Sequence, residues 1–139
     1  MKPSSSVYPI ERIISALTYL TTGFVGFIWL IIAAFMKKAV RPFLMYHILQ
    51  SIFISIAYFI IVELYKLIYI IFAKIPLINT LFFMLDNIIN GSSSLLQGFS
   101  LFQVLVSLLY IYLIITSFLG MYSYIPFVSN IIGNNTGRK

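Results

Sequence analysis

The sequence has no cysteine, only three acidic residues and a single histidine. Without cysteine there is no disulfide, no thiolate metal site and no thiol nucleophile. His47 and three scattered carboxylates, Glu11, Glu63 and Asp86, cannot supply the several converging ligands that a transition-metal cage needs. No nucleophile–base–orienter set, P-loop or GxGxxG stretch occurs. The polar inventory is too small for a catalytic set, so the chain is read as a non-enzyme with no metal and no cofactor. Charge is scarce as well: 9% of the 139 residues are charged, where a soluble domain carries roughly 25%. Hydrophobic residues fill the space, at 61% of the chain and a mean hydropathy of +1.04. A surface so poor in charge needs lipid as its solvent. The expected fold class is therefore all-α, an integral membrane bundle of about four transmembrane helices. The net charge of +6 contains no long basic run. It is read as loop charge that sets topology and meets anionic head groups, with the bilayer as partner and no nucleic acid.

The chain is expected to divide into a polar tail at 1–12, a four-helix transmembrane domain at 13–120, and an aromatic, interfacial segment with a polar end at 121–139. The first apolar run, from Ile13, ends at Lys37-Lys38 and is about 24 residues long, too long for a signal h-region, which has ~7–15. It is expected to be retained as span one, Ile13 to Phe35. No Arg- and Ser-rich transit peptide precedes it. After the tight basic loop of Lys37, Lys38 and Arg41, Pro42 suits the first turn of a helix, and span two runs from Phe43 to about Val62. Leu64 to Ala73 is expected to leave the core and lie in the interface with its lysines snorkelling. Ile75 to Ile89, which carries Asn79, Asp86 and Asn87, is short for a span and is either a third crossing or a re-entrant segment. Gly91-Ser92-Ser93-Ser94 is a turn, and span four is Leu101 to Leu119. Tyr122, Tyr124 and Phe127 place Met121 to Ile132 at the head-group level. Two formal glycosylation sequons, Asn90-Gly91-Ser92 and Asn134-Asn135-Thr136, fall on opposite sides of one span and are discounted.

Three helical stripes carry polar or small residues. On span one, Ser15, Thr18, Thr22, Gly26, Trp29 and Ala33 recur at steps of three and four; all but Trp29 are small, and small residues let backbones approach closely in lipid. On span two, His47, Ser51, Tyr58 and Tyr65 share a stripe flanked by Gln50 and Ser55, opposite the apolar Leu49, Ile52, Phe53, Ile56 and Ile60. On span four, Gln103, Ser107, Tyr110 and Ser117 form a similar stripe. Such stripes face protein or water, because lipid satisfies none of their hydrogen bonds. They serve either as interhelical contacts or as the lining of a hydrophilic path, with His47, Gln50, Ser51, Ser55, Gln103 and Ser107 as candidates. Glu63 and Lys66 are spaced to pair on a helix. Asp86, an ionisable group in an apolar run, is a further candidate.

Three local patterns go beyond hydrophobicity. Near the start, Pro9-Ile10-Glu11-Arg12 leads into Ser15-Ala16-Leu17-Thr18-Tyr19-Leu20. After the basic loop comes Phe43-Leu44-Met45-Tyr46-His47-Ile48-Leu49-Gln50-Ser51. Near the end stands Leu119-Gly120-Met121-Tyr122-Ser123-Tyr124-Ile125-Pro126-Phe127-Val128-Ser129-Asn130-Ile131-Ile132. Together, over roughly Tyr8 to Gly133, the chain resembles the Tic-twenty family, the inner-envelope protein-import subunit of chloroplasts, with its cyanobacterial and red-algal plastid-encoded relatives. The family has an arginine where this chain has Met45. The resemblance implies four helices and a part in precursor protein translocation, and it supplies no catalytic residue. It further implies a multi-pass protein of a plastid membrane, plastid-encoded, or of a cyanobacterial membrane. The implied partners are other translocon subunits or further copies of the chain, and precursor polypeptides. A four-helix bundle packs around a filled core, so any conduit would form between subunits. Rival expectations are a small-solute or ion transporter that requires Asp86, and a structural or assembly protein. With four spans, Lys2, Arg12, Lys66, Lys74, Arg138 and Lys139 face Lys37, Lys38 and Arg41 across the bilayer, which favours both termini on the cytoplasmic or stromal side.

Overall fold

A computed structural model describes residues 7–89, 91 and 100–136. Among them are six helices and no strand: α1 (Pro9–Leu20), α2 (Phe24–Phe35), α3 (Pro42–Phe72), α4 (Pro76–Ile89), α5 (Leu101–Phe118) and α6 (Val128–Asn135). The all-α class holds, and two of the helices, α3 and α5, are long and apolar enough to cross a membrane. Most of the Gly91–Ser94 turn, and the Asn90 sequon with it, lies outside the described residues. The chain falls into two compact units, Met1–Ala57 with Tyr110–Lys139, and Tyr58–Leu109.

In the first unit the expected span one, Ile13 to Phe35, is two 12-residue helices folded back on each other. Glu11 at the start of α1 pairs with Arg41, 3.3 Å away, just beyond the end of α2. Gly26 of α2 lies against the side chain of Thr18 in α1. The turn is a Schellman motif: Gly23 N–H donates to Thr18 O at 2.7 Å and Thr22 N–H to Tyr19 O at 3.1 Å. The Ser55 hydroxyl of α3 donates to Thr22 O at 2.7 Å, and Thr21 Oγ1 accepts from Val25 N–H at 3.1 Å. These bonds satisfy the backbone that a chain reversal exposes, which is the condition for irregular backbone in an apolar setting. The sequence signal was Thr21-Thr22-Gly23 inside an apolar run.

The same motif ends α2 and α5, with Lys38 N–H on Ala33 O and Met121 N–H on Thr116 O, both at 3.0 Å. The left-handed residue is Gly120 at the end of α5, but Thr22 and Lys37 at the other two, both at φ 51°. A β-branched residue there costs about 1–2 kcal/mol. Thr22→Gly is therefore expected to raise stability by about 1 kcal/mol, its hydrogen bond to Ser55 being made by the backbone. Chemical unfolding in detergent checks this, and an unchanged midpoint would count against the strain.

α3 is one continuous 31-residue helix, so Leu64 to Phe72 continues the expected span two without a break. At 1.5 Å per residue it extends about 46 Å, past a ~30 Å hydrocarbon core. Of the most apolar stretches of α3 and α5, 6% and 17% are buried. The apolar core of the first unit is small: Ile14, Leu44 and Ile48, with Leu30, Val40 and Ile52 packed on it.

In the second unit, α4 is a 14-residue helix. Phe82 stacks on Phe72 at 5.2 Å, and the Tyr65 hydroxyl donates to Asp86 Oδ1 at 2.6 Å. Lys66 and Glu63 pair at 2.8 Å on the helix surface. Tyr58 stacks on Phe102 of α5.

Candidate functional site

The first unit holds a buried polar cluster. α1 supplies Tyr19, α3 supplies Tyr46, His47 and Gln50, and the segment after α5 supplies Ser123 and, from α6, Ser129; all six are buried. Gln50 is its centre. Its Oε1 accepts from Tyr19 Oη at 2.7 Å and from Ser123 Oγ at 2.6 Å, and its Nε2 donates to Ser129 Oγ at 3.3 Å. Ser129 Oγ also accepts from Ile125 N–H at 2.7 Å and donates to Ser123 O at 3.3 Å. Tyr46 Oη donates to the same Ser123 carbonyl at 2.7 Å.

Proton bookkeeping fixes the histidine. Tyr19 Oη has one proton and gives it to Gln50, so the 2.9 Å contact with His47 Nδ1 requires the ring to donate. In this arrangement His47 Nδ1 carries a proton. Its ring stacks on Tyr122 at 6.2 Å and meets Tyr19, Phe43 and Tyr46 edge-on. Chemically this is a closed hydrogen-bonded clamp: every donor named has an acceptor, and the central groups have no exposure. Helix placement explains the convergence. His47 and Gln50 are one turn apart on α3, Tyr19 ends α1, and the left-handed Gly120 turns the chain after α5 back toward α3. Gly120 sits against the Arg12 guanidinium, so an added Cβ would lie 2.8 Å from Arg12 Nε.

Of the residues expected to line a path, His47, Gln50 and Ser51 come together here, fully buried. Ser51 Oγ donates to Thr18 O at 3.2 Å, and Ser55 holds the α1–α2 turn. The others lie elsewhere. Gln103 and Ser107 are exposed and do not face an interior. Gln103 is half of a capping box at the start of α5: its backbone N–H donates to Ser100 Oγ at 3.1 Å, and its Oε1 accepts from Ser100 N–H at 3.2 Å. That Ser-x-x-Gln signature was present in the sequence. Asp86 belongs to the second unit, held by Tyr65. Of the small residues of α1 and α2, Ser15, Thr18 and Gly26 are buried, Ala33 is half-buried and Thr22 is exposed.

The segment expected at the head-group level contributes Ser123, Ser129 and Ile132 to the buried interior, with Tyr124, Phe127 and Ile131 exposed. Sequence reasoning missed Tyr19, Tyr46, Ser123 and Ser129 as site residues, although all four stand in the three patterns quoted for the family resemblance. No group of three or more histidine, aspartate or glutamate residues able to hold a metal occurs among the described residues. Comparison of the chain with family models, with curated proteins and with solved structures finds no match.

Proposed function

We propose that the chain is a multi-pass membrane subunit that resembles the Tic-twenty component of the plastid protein-import translocon and contributes to precursor translocation. The observation that carries this reading is the meeting of the three resembling segments, far apart in the chain, in one cluster: Tyr19 from the first, Tyr46, His47 and Gln50 from the second, Ser123 and Ser129 from the third. Segments that share an architecture need a common place to meet, and generic hydrophobic helices do not. The membrane part rests on α3 and α5, whose apolar surfaces are left almost wholly uncovered, unlike the core helices of a soluble protein. The cluster is closed, so a single chain offers a polypeptide no path through His47, Gln50 and Ser51. Translocation then requires partner subunits or self-association. A precursor arrested in transit should photo-cross-link to probes on exposed α5 positions such as Ser107. Import at the normal rate without this chain would instead favour a structural role.

Four crossings would need the α1–α2 segment and α4 to span as well. Helices of 12 and 14 residues reach about 18–21 Å, short of ~30 Å. In our reading α1–α2 is a re-entrant hairpin, and α3 and α5 cross. The amino end, the Lys37–Arg41 loop and the carboxyl end then share one face. Of the nine basic residues, Lys2, Arg12, Lys37, Lys38, Arg41, Arg138 and Lys139 lie on that face, and Lys66 and Lys74 on the other. This is a sharper asymmetry than four spans allow, and it favours the cytoplasmic or stromal side for the basic face. With no native cysteine, single cysteines at Ser5, Ala39, Ser93 and Thr136 can be labelled with an impermeant maleimide. Ser5, Ala39 and Thr136 should label from one side and Ser93 from the other. Opposite labelling of Ser5 and Ala39 would restore a crossing between them.

A further inference from the structure

Between α1, α2 and the start of α3 lies an apolar slot of about 310 Å³, at the small end of the ~300–1,000 Å³ typical of ligand pockets. Ile14, Trp29, Ile32, Ala33 and Leu44 line it, and so do three charged residues, Glu11, Lys38 and Arg41. The charges at this end are not equivalent. Arg41 is committed: it pairs with Glu11 at 3.3 Å and its guanidinium lies 4.7 Å over the Tyr8 ring. The two other acids of the chain are engaged elsewhere, Glu63 by Lys66 and Asp86 by Tyr65. Among the described residues neither Lys37 nor Lys38 has an ion pair, and both are exposed.

We infer that this slot is a binding site for an anionic phospholipid, one acyl chain lying against Trp29 and Ala33 and the phosphate taken by Lys38, with Lys37 beside it in the chain. The inference rests on the membrane reading above. Apolar walls alone would accept any hydrocarbon; Lys38, which lines the slot and has no ion pair among the described residues, supplies the preference for a negative head group, and Lys37 adds to the local positive charge. The hairpin is what makes the site. A straight helix through 13–35 would carry the start of α1 and the Lys37–Lys38 loop to opposite ends of a 23-residue rod, about 34 Å apart.

Trp29 is the sole tryptophan and reports on its own slot. The intact chain, reconstituted in zwitterionic vesicles, is titrated with bromine-labelled phosphatidylglycerol or bromine-labelled phosphatidylcholine at equal mole fraction. Phosphatidylglycerol should quench Trp29 as if enriched roughly fivefold near it. Lys37→Gln with Lys38→Gln should abolish that preference. Ala33→Leu, which fills the slot and keeps the charges, should also abolish it, whereas inorganic phosphate should not compete. Equal quenching by the two lipids in the unsubstituted chain would overturn the site. So would a preference that survives Ala33→Leu, which would mean diffuse attraction to a basic loop. Failure of both lipids to quench Trp29 would instead remove the membrane reading, and the site with it.

Discussion

Gln50→Leu is expected to be among the most destabilising single substitutions in this chain. Leucine has nearly the same volume, so packing is preserved and the loss is polar. The Tyr19 and Ser123 hydroxyls, both buried, lose their acceptor, and Ser129 Oγ loses a donor. A buried polar group left unsatisfied costs about 1–3 kcal/mol, so the variant should lose roughly 3 kcal/mol or more. Rearrangement repairs this only in part: the Tyr19 proton can turn to His47 Nδ1, 2.9 Å away, but Ser123 is fixed through its carbonyl by Tyr46 and Ser129 by the Ile125 amide. The comparison is Gln103→Leu, which removes only the reciprocal half of an exposed cap and should cost about 1 kcal/mol or less. Unfolding of both variants in detergent separates the two roles. Ser123→Ala combined with Gln50→Leu should cost less than the two separately, since they share a bond. Equal stability of Gln50→Leu and the unsubstituted chain would mean that the cluster does not hold the tail.

The contrast between the two glutamines also marks what could be read in the sequence. Helical character, the ends of α5 and the start of α3 at Pro42 follow from apolar runs and proline, which act locally. His47, Gln50 and Ser51 were legible as a set because the period of a helix places them on one stripe. Their partners were not. Tyr19 and Ser123 are 31 and 73 residues from Gln50 along the chain, and no local rule relates such positions. The exposed stripe of Gln103 and Ser107 is of another kind: a polar stripe marks a wet or bonded face, and Gln103 bonds to its own helix end. The reversal at Thr22 escaped notice because apolar periodicity is blind to a chain that folds back on itself. α1 and α2 keep the same apolar content as one long helix. Only the Schellman turn, closed in part by Ser55 from 33 residues away, separates the two possibilities, and it brings Arg41 beside Glu11 at the start of α1.

Gly26 is where that reversal is most exposed to test. A Cβ at this position would lie 2.6 Å from Thr18 Cγ2 and 3.0 Å from both Ile48 Cγ1 and Ile48 Cγ2. Neither neighbour yields easily. Thr18 is fully buried with its Oγ1 donating to Ile14 O at 2.8 Å, and Ile48 is fully buried in the apolar core. Gly26→Ala should therefore cost about 2 kcal/mol by overpacking, and Gly26→Leu should prevent the hairpin from closing. The atom struck first suggests a repair. Thr18→Ser deletes the Cγ2 methyl and keeps the hydroxyl on Ile14 O, so alone it costs about 1 kcal/mol of lost burial. In the double variant the methyl that clashes is gone, and the combined loss should fall short of the sum by about 1 kcal/mol. Ile48 at 3.0 Å keeps the rescue partial. In a single straight helix, residues 18 and 26 would be about 12 Å apart along the axis, and the two substitutions would simply add. Additive losses, measured by unfolding the four variants under one set of conditions, would therefore exclude the α1–α2 hairpin. With it would go both the shared face of Ser5 and Ala39 and the slot that the hairpin encloses.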